Sequence, residues 1–439
     1  MIRSKSPSLR HALHAPARTS RKAVLIGAAL GGLILAAGGT ASAQATTTAT
    51  PVSAEVHALH ERLLVLDTHL DTPMNLVKPG WSILDRHSVE DGSQVDYPRM
   101  VEGGLDGGWW AVYSSQGPLT PEATAASLAV AQERIRAIRA LTTDHPDKFG
   151  LALKASDAAP IAAAGKRVVF ISMENAYPLT GRPDQVQAFY DQGLRMISLV
   201  HFANNELADS ATDPAGPRWH GLSPAGRRMV AQANQLGMVL DASHASDEVF
   251  DQLIAYSATP IILSHSGARD IYDHARNIND ERLRRLAASG GVIQVNALGA
   301  YLKALPDTPE RAAALTALRE EFGAPADRTP AQSTAYVERL RALNRVHPAT
   351  QADFEDYILH LLHILAVAGP RHVGIGADWD GGGGVTGMND VAALPRITER
   401  LLAEGYSETD LAAIWSGNAL RLLKQAEDYA ASLKPAPRR

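Results

Sequence analysis

Six apolar runs in this chain end in a histidine or a carboxylate, and that recurrence limits the fold more than any other feature. In order they are Leu-Asp-Thr-His69-Leu-Asp71, Ile-Ser-Met-Glu174, Leu-Val-His201, Asp-Ala-Ser-His244, Ile-Ile-Leu-Ser-His265 and Val-Gly-Ile-Gly-Ala-Asp378. A buried strand that stops at a polar residue places that residue at the end of a sheet. When strand after strand does so, a (β/α)8 barrel is implied, because its C-terminal rim gathers side chains from successive strands around one point. A doubly wound sheet would not bring so many strand ends together.

Eight apolar, β-rich runs can be read: 63–67, 108–113, 168–173, 196–200, 238–242, 261–264, 292–295 and 373–377. The second is the weakest, since glycines interrupt its approach. Helical patterns lie between most of them. Thr120 to Ala140 opens with Thr-Pro-Glu, Ser223-Pro224 begins a segment that Gly237 closes, Ser246-Asp247-Glu248 opens another, and Phe354 to Val367 precedes Gly369-Pro370. Near-continuous apolar strands fit a parallel sheet covered on both faces. Tyr301 to Gln351, between the seventh and eighth runs, is too long for an ordinary connection and reads as a helical insertion over the rim.

The chain of 439 residues has 45% hydrophobic and 20% charged residues, an ordinary globular balance. Its net charge of −5 gives no sign of nucleic-acid binding. Cysteine is absent, which excludes disulfides and thiolate metal ligands. Residues 1–43 read as a secretory signal: Arg3, Lys5, Arg10, Arg18, Arg21 and Lys22 precede the apolar stretch Ala23 to Ala37 and then Ala41-Ser42-Ala43. That stretch is roughly 15 residues, short of the about 20 a membrane span needs. The expected layout is a cleaved signal, a leader at 44–53, one barrel domain over 54–430 and a tail at 431–439. A periplasmic or secreted location without a stable membrane anchor follows, and a homodimer is compatible.

The strand-end residues suit a divalent cation, because neutral imidazole and carboxylate are its nitrogen and oxygen donors. On an extended backbone His69 and Asp71 point the same way and can reach one ion. Glu174 is costly to bury alone, and its two oxygens can bridge two ions. His244 and His265 end consecutive strands, which makes a second ion the better reading. His201 serves either as a ligand or to polarise a substrate carbonyl. Asp378 and Asp380 compete for one functional role, and Gly381 to Gly384 is no phosphate loop because no Gly-Lys-Ser/Thr follows. Arg276 should stand near the rim. His360 and His363, three apart on a helix, belong to a helix–barrel contact, while His57, His60, His87, His220, His274 and His372 have no supporting constellation. A metal-dependent hydrolase is the reading.

Several motifs in one order resemble the renal (membrane) dipeptidase family. They are His69-x-Asp71, Pro98-Arg-Met100, Gly107-Gly-Trp-Trp-Ala-Val-Tyr113, Leu-Val-His201, Gly221-Leu-Ser-Pro224, Ser-His265-Ser, Arg276-Asn277, Val-Gly-Ile-Gly-Ala-Asp378 and Gly417-Asn418-Ala-Leu-Arg421. The likeness spans Leu63 to Leu423. It implies two zinc ions (or other divalent ions) bridged by Glu174, one also bound by His69 and Asp71 and the other by His244 and His265. It further implies that His201 stabilises the tetrahedral intermediate, that Arg276 meets the substrate's free carboxylate, and that Asp378 is the acid/base. The expected reaction is hydrolysis of a dipeptide by a metal-bridging hydroxide, with a D-residue at the C-terminal position left open. The alternatives are a lactonase or deacetylase on the same site, or a non-catalytic periplasmic metal-binding protein. Glu102-Gly-Gly-Leu-Asp106 and the absence of a glycine pair after Glu174 depart from the family pattern.

Overall fold

The computed structural model describes residues 52–323 and 330–434. The expected signal segment, most of the leader and residues 435–439 lie outside the described residues. Eight parallel strands follow one another around a nearly closed barrel: β1 (Leu66–Leu70), β2 (Gly107–Tyr113), β3 (Arg167–Glu174), β4 (Leu194–Ser198), β5 (Val239–Asp241), β6 (Ile262–Ala268), β7 (Val292–Val295) and β8 (Val373–Ile375). Closure between β8 and β1 rests on few bonds. The Asp71 amide donates to the Trp379 carbonyl at 2.8 Å, and the Asp67 carboxylate accepts the Ala377 amide at 3.0 Å. Two further short strands, Phe149–Leu151 and Asn277–Ile278, pair with β3 and β6 outside the barrel path; neither was expected.

The glycines that weakened the second run are what let it pack. A Cβ on Gly108 would lie 2.0 Å from the Asp67 carbonyl oxygen, and one on Gly107 would lie 2.1 Å from that of Val168. With both bare, β2 pairs with β3 without a break from Gly107↔Val168 to Tyr113↔Glu174. Strand boundaries also move, most consequentially in β1 and β6. β1 begins later than expected and runs through His69, and β6 continues past His265 to Ala268. In β6 the pairing of Ser266 with Val295, and of Gly267 with Asn277, carries the strand through its polar residues.

The sequence signals for the helices act as expected. Ser223 and Ser246 each accept a backbone N–H at the first turn of the helices Pro224–Leu236 and Asp247–Tyr256, and Gly237 ends the former in the left-handed conformation. The insertion between β7 and β8 contains the helices Pro309–Phe322 and Pro330–Val346, which Arg311 ties together through the Asn344 side chain at 2.8 Å.

The interior of the barrel has two ends of different character. Leu66, Trp109, Phe170, Met196, Val239, Ile262 and Val292, one from each of the first seven strands, form an apolar cluster with Ala419, Leu422, Leu423 and Ala426 of the helix Asn418–Ser432. That helix therefore seals the N-terminal end, and only the C-terminal rim is left for a site. Among the described residues no helix is long and apolar enough to cross a membrane.

His60, which had no role in the sequence reading, is a buried strut. Its Nε2 lies 3.1 Å from the Gly103 carbonyl, which can only accept, so Nε2 carries the proton and Nδ1 accepts from the Thr398 hydroxyl at 2.7 Å. Burial is the main reason its pKa falls to about 4. Between the ordinary histidine pKa of 6.5 and that value, the unfolded chain binds a proton that the folded chain refuses. Stability is therefore expected to fall as pH drops through this window, by about 1.4 kcal/mol per pH unit from this group. Denaturant midpoints of wild type and His60→Gln measured from pH 7 to pH 4 check this; parallel curves refute it.

Candidate metal centre

Glu174 closes β3 on the same face as Phe170 and Ser172, so its carboxylate stands at the rim above the apolar plug. Its two oxygens look to different sides. Oε2 lies 3.4 Å from His69 Nε2, whereas Oε1 lies 3.0 Å from His244 Nε2, 3.4 Å from His265 Nε2 and 3.7 Å from His201 Nε2. His69 Nε2 is also 3.3 Å from Asp71 Oδ2. All these side chains except His201 are almost wholly buried. Three sets of ligand atoms fall within 4.8 Å of one another: His69, Glu174 and His265; Glu174, His201 and His244; and His69, Asp71 and Asp378. The structure thus brings together every residue that the sequence reading assigned to metal, along with His201 and Asp378. His265 falls with His69 in one of these sets, while its Nε2 is 2.9 Å from that of His244 and both approach the same Glu174 oxygen, so it stands between the two halves that the resemblance implied.

Irregular backbone makes this convergence possible. Thr68 points inward, its hydroxyl donating to the Ser264 carbonyl at 2.7 Å. Strict alternation would then turn His69 outward, but the β1–β2 register shifts between Asp67 and Leu70. The β6–β7 register shifts likewise between Leu263 and Ser266, around His265. His244 and Asp378 have φ of 66° and 65°, as does Asp380 at 65° and Asn175 at 67°. Positive φ is uncommon outside glycine and costs roughly 1–3 kcal/mol, so four of the five such residues among those described lying in or beside one cluster point to a functional site.

The charges suit a cation. Burial opposes ionisation of Glu174, yet the imidazoles around it, the His69 charge first and the hydrogen bonds of His244 and His265 after it, outweigh burial and hold its carboxyl well below the usual range. Burial keeps His244, His265 and His201 neutral, with pKa values below the ordinary histidine value. Burial also opposes the charged form of His69, but Glu174 and Asp71 prevail and raise it. His69 Nε2, Asp71 Oδ1 and His244 Nδ1 are buried without a hydrogen-bond partner. Lone pairs and negative charge converging without enough donors are what a divalent cation requires, and the residues fit one.

Asp378 and Asp380 separate clearly. Asp378 lies with His69 and Asp71, and Asn296 Nδ2 approaches its Oδ2 at 3.5 Å. Burial, with Asp71 and Glu174 adding to it, pushes its pKa well above the carboxylate range. Asp380 instead accepts from the Thr72 hydroxyl at 2.7 Å and the Gln94 amide at 2.6 Å, holding two loops together. The glycine run has a use here that the sequence reading missed. A Cβ on Gly381 would lie 2.1 Å from Asp71 Oδ2 and 2.3 Å from Asp378 Oδ1, so glycine makes room for both carboxylates.

Arg276 is buried beside the cluster. It donates to the His265 carbonyl at 3.0 Å, lies 5.3 Å from the Tyr301 ring centre, and has an Nε without a partner. His360 does bridge helix and barrel, with the Ala268 amide on Nδ1 at 3.1 Å and the Leu302 carbonyl 2.9 Å from Nε2. Three neighbours of the cluster were not singled out. Asn296 follows the seventh apolar run, the same signal that found the others. Tyr113, at the end of β2, meets the His201 ring edge-on at 4.9 Å, and Phe202, still 39% exposed, lies against His201 at 3.8 Å.

The sequence model of the membrane dipeptidase family (peptidase family M19) matches residues 53–436. An uncharacterised dipeptidase of Schizosaccharomyces pombe is 29% identical over 395 residues, covering 87% of this chain and 86% of its own. Dipeptidase 3 of Macaca fascicularis is 27% identical, over 87% of this chain and 69% of its own. Among solved structures, the probable dipeptidase PvdM of Pseudomonas aeruginosa superposes with a TM-score of 0.74 at 29% identity, over 85% of this chain and 98% of its own. A metallopeptidase of Rhodobacter sphaeroides, solved with a phosphinate mimic of L-Ala-D-Ala, shares the fold at a TM-score of 0.65 and 22% identity, over 83% of this chain and 99% of its own.

Proposed function

This chain belongs to the membrane dipeptidase family and is a metallodipeptidase, and from that premise we propose that it works with two divalent cations, zinc being the expected metal, held on either side of Glu174. The observation that carries the reading is the two-sided carboxylate, with His69 on one oxygen and His201, His244 and His265 on the other. When bound, such ions act as Lewis acids and bring the pKa of a water toward neutrality.

The remaining work falls to the protein's own groups. Arg276 receives the free carboxylate of the dipeptide, for which its unpartnered Nε and buried position suit it. His201, neutral through burial, has an N–H to offer the oxygen of the scissile carbonyl as charge builds there. Asp378 takes the proton from the attacking water and passes it to the leaving amine, which cannot depart as an anion. A lactonase would have little use for Arg276, and a pure metal carrier none for Asp378. The basic, apolar and Ala-Ser-Ala segments before residue 44 support export across a membrane, with the mature enzyme in the periplasm or secreted.

The test is hydrolysis of matched dipeptides with free and amidated C-termini. The wild type should strongly prefer the free acid. Arg276→Ala should keep its metal and lose about 10–100-fold in kcat/KM on free dipeptides only, the scale of a charge-assisted contact worth about 1.5–3 kcal/mol. Equal wild-type rates on both substrates would overturn this role for Arg276.

A further inference from the structure

We propose that Asp241 and Ser264 form a hydrogen-bonded relay that holds His265 in a single tautomer, which makes Ser264 a positioning residue for the metal cluster. Its consequence for metal binding rests on the two-ion reading above, but the relay itself follows from donors and acceptors of this chain alone.

Asp241 ends β5, and three donors point at its carboxylate. Oδ1 accepts the amides of Ser243 at 2.9 Å and Ser264 at 3.0 Å, and Oδ2 accepts the Ser264 hydroxyl at 2.6 Å. A serine hydroxyl has one proton, and this one is committed to Asp241. Toward His265 Nδ1, 2.8 Å away, Ser264 Oγ can therefore only accept. Nδ1 must carry the ring proton, which leaves the lone pair on Nε2. That atom faces Glu174 Oε1 and His244 Nε2.

A cation ligand must present a lone pair, and here the backbone of β5 and β6 dictates which nitrogen does so. The whole relay is out of solvent: Ser264 is 0% exposed, His265 1% and Asp241 5%. Water therefore has no ready access to offer Nδ1 a competing partner. His244 has no such constraint, because its Nδ1 is buried without a partner. Ser243 reinforces the arrangement by accepting the His265 amide at 3.1 Å.

Two substitutions separate this role from simple packing. Ser264→Ala removes the acceptor but leaves both tautomers open. Asp241→Asn should be worse, for a reason of geometry. Its amide oxygen must stay where Oδ1 is, to accept the two backbone N–H groups, which puts the NH2 against Ser264 Oγ. The serine then turns its proton to His265 Nδ1 and forces the N–H onto Nε2, where a cation would sit.

Zinc affinity of the full-length chain, measured by competition with a chromophoric chelator, should fall about 10–100-fold in Ser264→Ala and further in Asp241→Asn. The melting temperature of the metal-stripped Ser264→Ala protein should stay close to that of wild type. Unchanged affinity in both variants, or a loss that only follows a fall in melting temperature, would overturn the proposal. Nitrogen NMR of the metal-stripped protein reads the tautomer directly, with the His265 signals assigned by their loss in His265→Asn. Nδ1–H is expected in wild type and Nε2–H in Asp241→Asn; Nε2–H in wild type would also overturn it. If wild type takes up no zinc, the two-ion reading fails while the NMR still decides the relay.

Discussion

Glu174→Ala is expected to empty the metal centre and stop turnover. Its two oxygens between them lie within 3.7 Å of all four imidazoles, one facing His69 and the other His201, His244 and His265. Removing it leaves His201, His244 and His265 with no carboxylate shared with them, and Asp71 as the carboxylate beside His69. Elemental analysis of the purified full-length protein should find about two divalent ions per chain in wild type and near none in the variant. His244→Ala, which alters one side only, should lose mainly one ion. Charge stabilisation of the kind such ions provide is worth several kcal/mol, so a loss of about 10³-fold or more in kcat is the expected scale. Glu174→Gln is the control for volume, because it fills the same space without the charge and should resemble alanine in metal content. A single tightly held ion with full activity in wild type, or two ions retained without Glu174, would refute the bridging role.

Asp378→Asn should give the second largest effect, and of a different kind. Asparagine keeps the size and much of the hydrogen bonding, including the approach of Asn296, but it cannot carry a proton. Folding and metal content should remain near wild type while kcat falls by about 10²–10⁴, the usual scale for general acid–base work. Asp380→Asn makes the contrast. Asp380 accepts from Thr72 and Gln94 and stands outside the three ligand groups, so its loss should lower the melting temperature more than the rate. If Asp380→Asn abolishes turnover and Asp378→Asn does not, the roles are reversed.

Much of this was legible because barrel architecture ties chemistry to the ends of apolar runs. The strand count, the parallel order and the polar residues after each run follow from hydrophobic pattern alone. That pattern works because each strand is buried on both faces, so its apolar run gives way to polar groups toward the rim. The same rule covers Asn296, which was overlooked although it follows the seventh run. Phe149–Leu151 and Asn277–Ile278 were not legible, because strands so short leave no periodic pattern and exist only through their partners.

Sequence by itself determined which residues were available to the site, and roughly at which end of the barrel. Which way they faced was decided by tertiary structure. Alternation along β1 and β6 turns His69 and His265 away from the face that Thr68 and Ser264 occupy. Only the register shifts between Asp67 and Leu70, and between Leu263 and Ser266, bring them to the cluster. His244 and Asp378 arrive through left-handed backbone that no pattern along the chain announces. Gly381 matters because Asp71, some three hundred positions away in the chain, needs the volume beside it. These features cost conformational energy locally and are held by long-range contacts around a nearly closed barrel. A strand read in isolation carries no record of the neighbours that impose them.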